Sequence, residues 1–134
     1  MIDTSAWIEF FRNRNSGISE QVDDCLASCE VCVPRIVLAE LIQGAKSDRE
    51  ITVIQGFFRA FTIIDQSDDS WLKAGKLSYT LRRKGNTTNL TDCYIAVIAE
   101  ENNCAIFTLD RHFKIIQQHA GIQLIDPESK RHGK

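Results

Sequence analysis

Short apolar runs alternate with longer amphipathic segments from one end of the chain to the other. The longer segments carry apolar residues at roughly helical intervals, and the short runs are typical of buried strands. Strands separated by helices favour a parallel sheet that is covered on both faces and has right-handed crossovers. The pattern therefore predicts an α/β fold, a three-layer α/β/α sandwich with a mainly parallel central sheet.

The same pattern sets the expected boundaries of the elements. Strands are expected at 1–3, 31–33, 62–64, 105–108 and 123–125. Helices are expected at 5–11, 19–28, 34–43, 48–61, 68–84, 91–101 and from 110 onward. Pro34 is expected in the first turn of the third helix, where its missing N–H is not needed. Ligand sites in such folds lie at the carboxyl ends of the strands, so the residues that follow the strands are the candidates for function.

The composition is that of an ordinary globular domain, with 134 residues, of which 43% are hydrophobic and 25% charged. We expect a single domain over 1–126 and a basic tail over 127–134. No apolar run approaches the roughly 18 residues that span a bilayer, and no secretory signal precedes the first strand. We therefore expect a cytoplasmic protein without a membrane segment. Its five cysteines, an odd number, fit reduced thiols better than a disulfide framework.

Four acidic residues, Asp3, Glu40, Asp92 and Asp110, are the main chemical signal in the sequence. Asp3 and Asp110 stand at the ends of predicted strands and Asp92 lies at a helix start, so these three are expected at one edge of the sheet. Carboxylates that are crowded together repel each other, and they either keep protons or hold a cation. Each aspartate taken singly could also be a helix cap. Glu40 is the most diagnostic of the four, because a charge inside an apolar helix needs a partner.

Four segments carry a family resemblance, and their order and spacing suit a domain of this size. They are Ile2–Ser5, Val37–Gly44, Thr91–Ala96 and Thr108–Phe113. Together they resemble the motifs of the PIN-domain ribonucleases, and among these the small VapC-type toxins of prokaryotic toxin–antitoxin pairs. The resemblance implies a Mg²⁺- or Mn²⁺-dependent endoribonuclease whose catalytic centre is formed by the four acidic residues.

Phosphodiester hydrolysis requires an activated water and a counter-charge for the transition state, and one or two Mg²⁺ ions supply both. Magnesium takes few protein ligands, so we assign the three aspartates to direct or water-mediated coordination. Glu40 either binds a second ion or orients the attacking water. Thr108, two residues before Asp110, and Ser5 are the supporting candidates, each through its hydroxyl group.

RNA binding is expected to depend on phosphate contacts, which attract basic side chains without reading sequence. The candidates are Arg82, Arg83, Lys84 and Arg111. The net charge of −2 argues against a strongly basic surface but permits such a local patch. Trp7 and Tyr94 could stack on bases, but their helical neighbours favour positions in the core.

The resemblance to toxins also implies two protein partners, a cognate VapB-type antitoxin and a second copy of the chain in a homodimer formed through helices. Two other functions compete with the nuclease. A phosphotransfer domain or a phosphatase also places acids at strand ends, but Asp3 is followed by Thr4 and Ser5 rather than by the second acid of those motifs. A non-catalytic scaffold that binds RNA or protein predicts that substitution of the acids leaves activity unchanged.

Overall fold

The structure is a computed structural model that describes residues 1–64 and 67–125. The chain divides into two compact units. The N-terminal unit is Ile2–Asp65, and the C-terminal unit joins Met1 to Gln66–Lys134. The predicted basic tail at 127–134 lies outside the described residues, and the single domain stays a prediction.

The N-terminal unit contains four helices and two strands among its described residues. They are α1 (Thr4–Arg12), α2 (Gly17–Ser28), β1 (Cys32–Pro34), α3 (Arg35–Gln43), α4 (Asp48–Phe58) and β2 (Thr62–Ile64). The two strands pair in parallel, with Val33 opposite Ile63. Pro34 ends β1 in an extended conformation instead of entering the helix, so its predicted place in the first helical turn is wrong. Its fixed φ suits this position, because the backbone there is still extended.

A cluster of aromatic side chains forms the core of the N-terminal unit. Trp7 is fully buried, and the centroid of its ring system lies 4.9 Å from that of Phe58 in an edge-to-face contact. Other rings pack around this pair, namely Phe10, Phe11, Phe57 and Phe61. Edge-to-face pairs add to the stabilisation that burial provides. The core position predicted for Trp7 is confirmed.

Helix α4 is shorter than the apolar spacing predicted, because it ends at Phe58 instead of Phe61. The N–H of Arg59 donates to the carbonyl of Gly56, and the N–H of Phe61 donates to that of Phe58. These tight turns follow the end of α4 and precede β2, and Phe61 still packs in the aromatic cluster. The spacing of the phenylalanines therefore indicates residues that share one core, although the helix includes only Phe57 and Phe58 and not Phe61.

The C-terminal unit contains three helices and two strands among its described residues. They are α5 (Asp68–Arg83), α6 (Leu90–Glu101), β3 (Ile106–Phe107), α7 (His112–Gln117) and β4 (Leu124–Ile125). Strands β3 and β4 are parallel, with Ile106 opposite Leu124. The ammonium group of Met1 donates to the carbonyl of Ala105 at 2.8 Å, and the carbonyl of Met1 accepts from the N–H of Phe107 at 2.8 Å. The start of the chain is thereby fixed to β3.

Helices α5 and α6 pack against each other through small and aliphatic side chains. Ala74 and Leu81 of α5 and Ile98 of α6 are almost fully buried. Ser67 caps α5 as predicted, since its hydroxyl accepts from the N–H of Ser70. Gly85, with φ of 85°, ends the helix in the left-handed conformation that glycine tolerates best. In the described part of the chain, none of the helices is both long and apolar enough to cross a membrane.

Candidate functional site

In the N-terminal unit, Asp3 lies at the start of α1 and is almost fully buried. Its Oδ1 accepts a hydrogen bond from the N–H of Ala6 at 3.2 Å and another from the hydroxyl of Ser5 at 2.7 Å. Asp3 is therefore the cap of α1, one of the alternatives that its position in the sequence left open. The supporting position predicted for Ser5 corresponds to a direct contact with this carboxylate.

Glu40 lies on α3 and is half-buried instead of being enclosed by apolar residues. Its Oε1 accepts a hydrogen bond from the hydroxyl of Thr4 at 2.7 Å. The apolar surroundings expected for Glu40 are wrong, since the neighbouring Ala39 is exposed, and the hydroxyl of Thr4 is one partner of the carboxylate. Thr4 and Ser5 are consecutive, so the first turn of α1 orients both acids of this unit.

In the C-terminal unit, Asp92 is the third residue of α6 and only 9% exposed. The cap of this helix is Asn89, whose side-chain oxygen accepts from the N–H of Asp92 at 2.8 Å. Capping therefore does not explain the Asp92 side chain. A carboxylate in the first turn is favoured by the partial positive charge of the helix N-terminus.

Asp110 follows β3 and precedes α7, and its conformation is fixed by its neighbours. The hydroxyl of Thr108 accepts from the N–H of Asp110 at 2.9 Å. The Oδ1 of Asp110 accepts from the N–H of His112 at 2.9 Å and lies 2.7 Å from Nδ1 of the same histidine. Thr108 thus acts on the backbone of the loop that presents Asp110.

Asp92, Asp110 and His112 form a group of potential metal ligands in the C-terminal unit. Each offers one ligand atom, and these atoms all lie within 4.8 Å of one another. Two carboxylates and an imidazole can bind a divalent cation. Two of the four predicted acids therefore lie together in one unit, and Asp3 and Glu40 belong to the other. No ligand role was predicted for His112, although its place two residues after Asp110 was visible in the sequence.

Cys93, next to Asp92, does not add a reactive thiol to this group. Its side chain is fully buried, and the removal of water raises the pKa of the thiol above its ordinary value. The hydroxyl of Thr88 lies 3.4 Å from its Sγ. At neutral pH the thiol is protonated and behaves as a small core side chain.

The predicted RNA-binding residues Arg82, Arg83, Lys84 and Arg111 are exposed. The guanidinium of Arg83 lies 6.0 Å from the ring centroid of the exposed Tyr79, and Nζ of Lys84 lies 3.4 Å from Nδ1 of His119.

Tyr94 is buried beneath the partly exposed Trp71, with ring centroids 3.7 Å apart, so its predicted core position is confirmed.

Comparison with known families places these motifs in one domain type. The family model described as PIN domain matches residues 1–118, which is most of the chain. The chain belongs to the PIN-domain family. This PIN-domain chain is 29% identical over 129 residues to Ribonuclease VapC11 of Mycobacterium tuberculosis, and the match covers 92% of this chain and 95% of that protein.

Two solved structures share the fold of this PIN domain. DNA-bound VapBC from Salmonella typhimurium matches with a TM-score of 0.77 and 29% identity, covering 95% of this chain and 96% of that one. VapBC-1 from nontypeable Haemophilus influenzae matches with a TM-score of 0.76 and 26% identity, covering 96% of this chain and 97% of that one. These matches confirm the α/β/α fold class that the hydrophobic pattern predicts.

Proposed function

We propose that this PIN-domain chain is a metal-dependent endoribonuclease that acts as the toxin of a toxin–antitoxin pair in the cytoplasm. The proposal rests on one observation in a chain of this family, namely that a carboxylate oxygen of Asp92 lies within 4.8 Å of a carboxylate oxygen of Asp110. The relative from Mycobacterium tuberculosis is named a ribonuclease. An acidic pair of this kind suits the hydrolysis of a phosphodiester bond.

The donor atoms fit a divalent cation. Asp92 and Asp110 contribute hard carboxylate oxygens, the ligand type that Mg²⁺ and Mn²⁺ prefer. We assign Asp92, Asp110 and Asp3 to metal binding, and Mg²⁺ or Mn²⁺ is the proposed ion. When bound, such an ion supplies charge stabilisation at the phosphate and lowers the pKa of a water molecule.

Glu40 is assigned to the orientation of water. Its Oε1 already accepts from the hydroxyl of Thr4, which holds the carboxylate in one orientation. A fixed carboxylate can accept a proton or a hydrogen bond from water at a defined angle, which is the requirement for general base chemistry. Thr4 and Ser5 are positioning residues in this proposal, and Thr108 has the same function for Asp110.

The RNA substrate is proposed to contact the basic end of α5. Arg82, Arg83 and Lys84 end this helix, and a loop of six residues, 84–89, joins it to α6, which carries Asp92 in its first turn. Exposed cations at this position attract phosphate groups from the solvent. Arg111, which follows Asp110 directly, is proposed as a fourth phosphate contact.

The proposed protein partners are a VapB-type antitoxin and a second copy of this chain. The similar solved structures are described as VapBC, and in the relatives the VapC chain is the ribonuclease. An antitoxin that covers the carboxylates would prevent RNA cleavage until it is removed.

Cleavage of labelled RNA tests the nuclease against the scaffold alternative. The purified chain is incubated with RNA in Mg²⁺ or in EDTA, together with Asp92→Asn and the control Asp69→Asn, an exposed residue of the first turn of α5. We expect cleavage in Mg²⁺ only, a rate about 100-fold lower for Asp92→Asn, and no change for Asp69→Asn. Equal cleavage by both variants, or cleavage in EDTA, would reject the nuclease in favour of the scaffold or a contaminant.

A further inference from the structure

His112 is exposed to solvent, yet two of its nitrogen atoms contact the carboxylate of Asp110. Its N–H and its Nδ1 both contact Oδ1 of Asp110, at 2.9 Å and 2.7 Å. A ligand atom of His112 also lies within 4.8 Å of ligand atoms of both Asp92 and Asp110. The residue therefore contacts one carboxylate and lies near the second.

The spacing of these atoms suits a single small cation. An octahedral ion with bonds of about 2.1 Å holds neighbouring ligands roughly 3 Å apart and opposite ligands roughly 4.2 Å apart. The separation of 2.7 Å between Nδ1 and Oδ1 is close to the first value, and the limit of 4.8 Å for the whole group is slightly above the second. Coordination through Nδ1 would use the imidazole tautomer with its proton on Nε2, so the bond to the ion would replace the Nδ1 contact with Asp110 after a small movement of the exposed side chain.

The nitrogen atom changes which ion such a group selects. Mg²⁺ is a hard ion that keeps its water molecules and prefers oxygen ligands, whereas transition metals accept imidazole as well as carboxylate. We propose that His112 is a third protein ligand, with Asp92 and Asp110, and that it makes this centre bind Mn²⁺ in preference to Mg²⁺. This inference rests on the metal centre of the proposed function and adds the choice of ion to it.

A purely structural role for His112 would give a different result. If the histidine only orients Asp110, its removal weakens the binding of both ions to the same extent, because both use that carboxylate. If it is a ligand, its removal affects Mn²⁺ more strongly than Mg²⁺. His119 provides a matched control, since it lies in the same unit and contacts Lys84 instead of an acid of the group.

The test measures Mn²⁺ binding to the whole chain by electron paramagnetic resonance, with Mg²⁺ as competitor, for wild type, His112→Ala, His112→Asn and His119→Ala. Asparagine retains an amide N–H near the position of Nδ1, and the ligand that it can offer an ion is a hard carbonyl oxygen instead of the imidazole nitrogen. We expect both His112 variants to bind Mn²⁺ about tenfold more weakly, with less than about a twofold change for Mg²⁺, and His119→Ala to match wild type. The spin-echo spectrum of bound Mn²⁺ should show coupling to an imidazole nitrogen that is lost in His112→Ala.

Two results would overturn the inference. An equal loss of affinity for both ions, or a spectrum without nitrogen coupling in wild type, would show that His112 is not a ligand. In that case Mn²⁺ binding that is still lost in Asp92→Asn would leave the proposed nuclease centre intact. Wild-type protein that binds neither ion would reject the inference and the metal centre together. Near-ultraviolet circular dichroism confirms that each variant is folded.

Discussion

Three of the four candidate carboxylates in this PIN domain are contacted by polar side chains, two of them from residues two positions further along the chain and one from a different helix. Ser5 donates to Asp3, Thr4 donates to Glu40, and His112 contacts Asp110. A hydrogen bond to a carboxylate fixes its rotamer, which lowers the entropy that is lost when a ligand binds. The acids of the proposed metal site are therefore held in defined orientations.

Thr4 gives a direct test of this arrangement. Thr4→Val removes the hydroxyl that donates to Glu40 and keeps the size and β-branching of the side chain. We expect RNA cleavage to show a kcat about tenfold lower with KM nearly unchanged, because the orientation of Glu40 is lost and substrate contacts are not. Thr87→Val, at an exposed loop position, is the control. A wild-type kcat for Thr4→Val would remove Thr4 from the site.

Glu101 supplies a prediction about pH and stability. The Ser70 hydroxyl donates to it at 2.6 Å and the Lys73 ammonium at 2.9 Å, and these two bonds lower the pKa of the carboxyl below its ordinary value of 4.5. A pKa that is lower in the folded state stabilises the fold above the ordinary value, and this contribution is lost as the pH falls through the folded-state pKa.

Urea unfolding of Glu101→Gln measures this contribution. At pH 7 we expect its free energy of unfolding to be lower than that of wild type by under about 1 kcal/mol, since the ion pair is partly exposed. The difference should shrink steadily once the pH falls below the ordinary value of 4.5. A difference that stays constant down to pH 2 would contradict the assigned cause.

At the scale of elements, substitution of Gly75 and of Gly85 tests two different contributions to helix α5, helix propensity inside the helix and backbone conformation at its end. Gly75 lies inside α5, where an added Cβ would meet open space, and Gly85 follows the helix with a φ of 85°. Gly75→Ala should stabilise the chain by about 0.5–1 kcal/mol through helix propensity, and Gly85→Ala should destabilise it by about 1 kcal/mol through backbone strain. Thermal unfolding that shifts in the same direction for both variants would contradict this account of how α5 ends.

The elements themselves were largely predictable from the sequence. Hydrophobic periodicity gave β2 at its observed bounds and α5 to within one residue, because an apolar face and flanking polar residues marked where each element begins and ends. It overestimated α4, since the aromatic side chains of Phe57 and Phe61 share a core whether or not the backbone between them is helical. Packing had overridden the local pattern there.

The site was less predictable than the fold. Residue type and order make the four acids candidates, but the contacts of Thr4 and His112 depend on side-chain directions that a linear pattern does not contain. Glu40 was assigned the wrong environment, because Ala39 beside it is exposed and the apolar residues around it in sequence do not enclose it in space. Spacing along a helix shows which residues share a face and leaves the neighbours of that face undetermined.

For the molecule as a whole, family membership and the acidic group support hydrolysis by an activated water. This chemistry differs from metal-independent RNA cleavage, in which the 2′-hydroxyl of the substrate attacks the phosphate. Hydrolysis incorporates one oxygen atom from solvent water at each cleaved bond and needs no 2′-hydroxyl at the reacting phosphate. The origin of that oxygen atom therefore distinguishes the two mechanisms.

Cleavage of RNA in ¹⁸O-labelled water, followed by mass spectrometry of the new ends, tests this claim most directly. The account predicts linear phosphate ends that carry one ¹⁸O atom, formed in Mg²⁺ or Mn²⁺ and abolished by EDTA. Unlabelled 2′,3′-cyclic phosphate ends, formed equally well in EDTA, would contradict it.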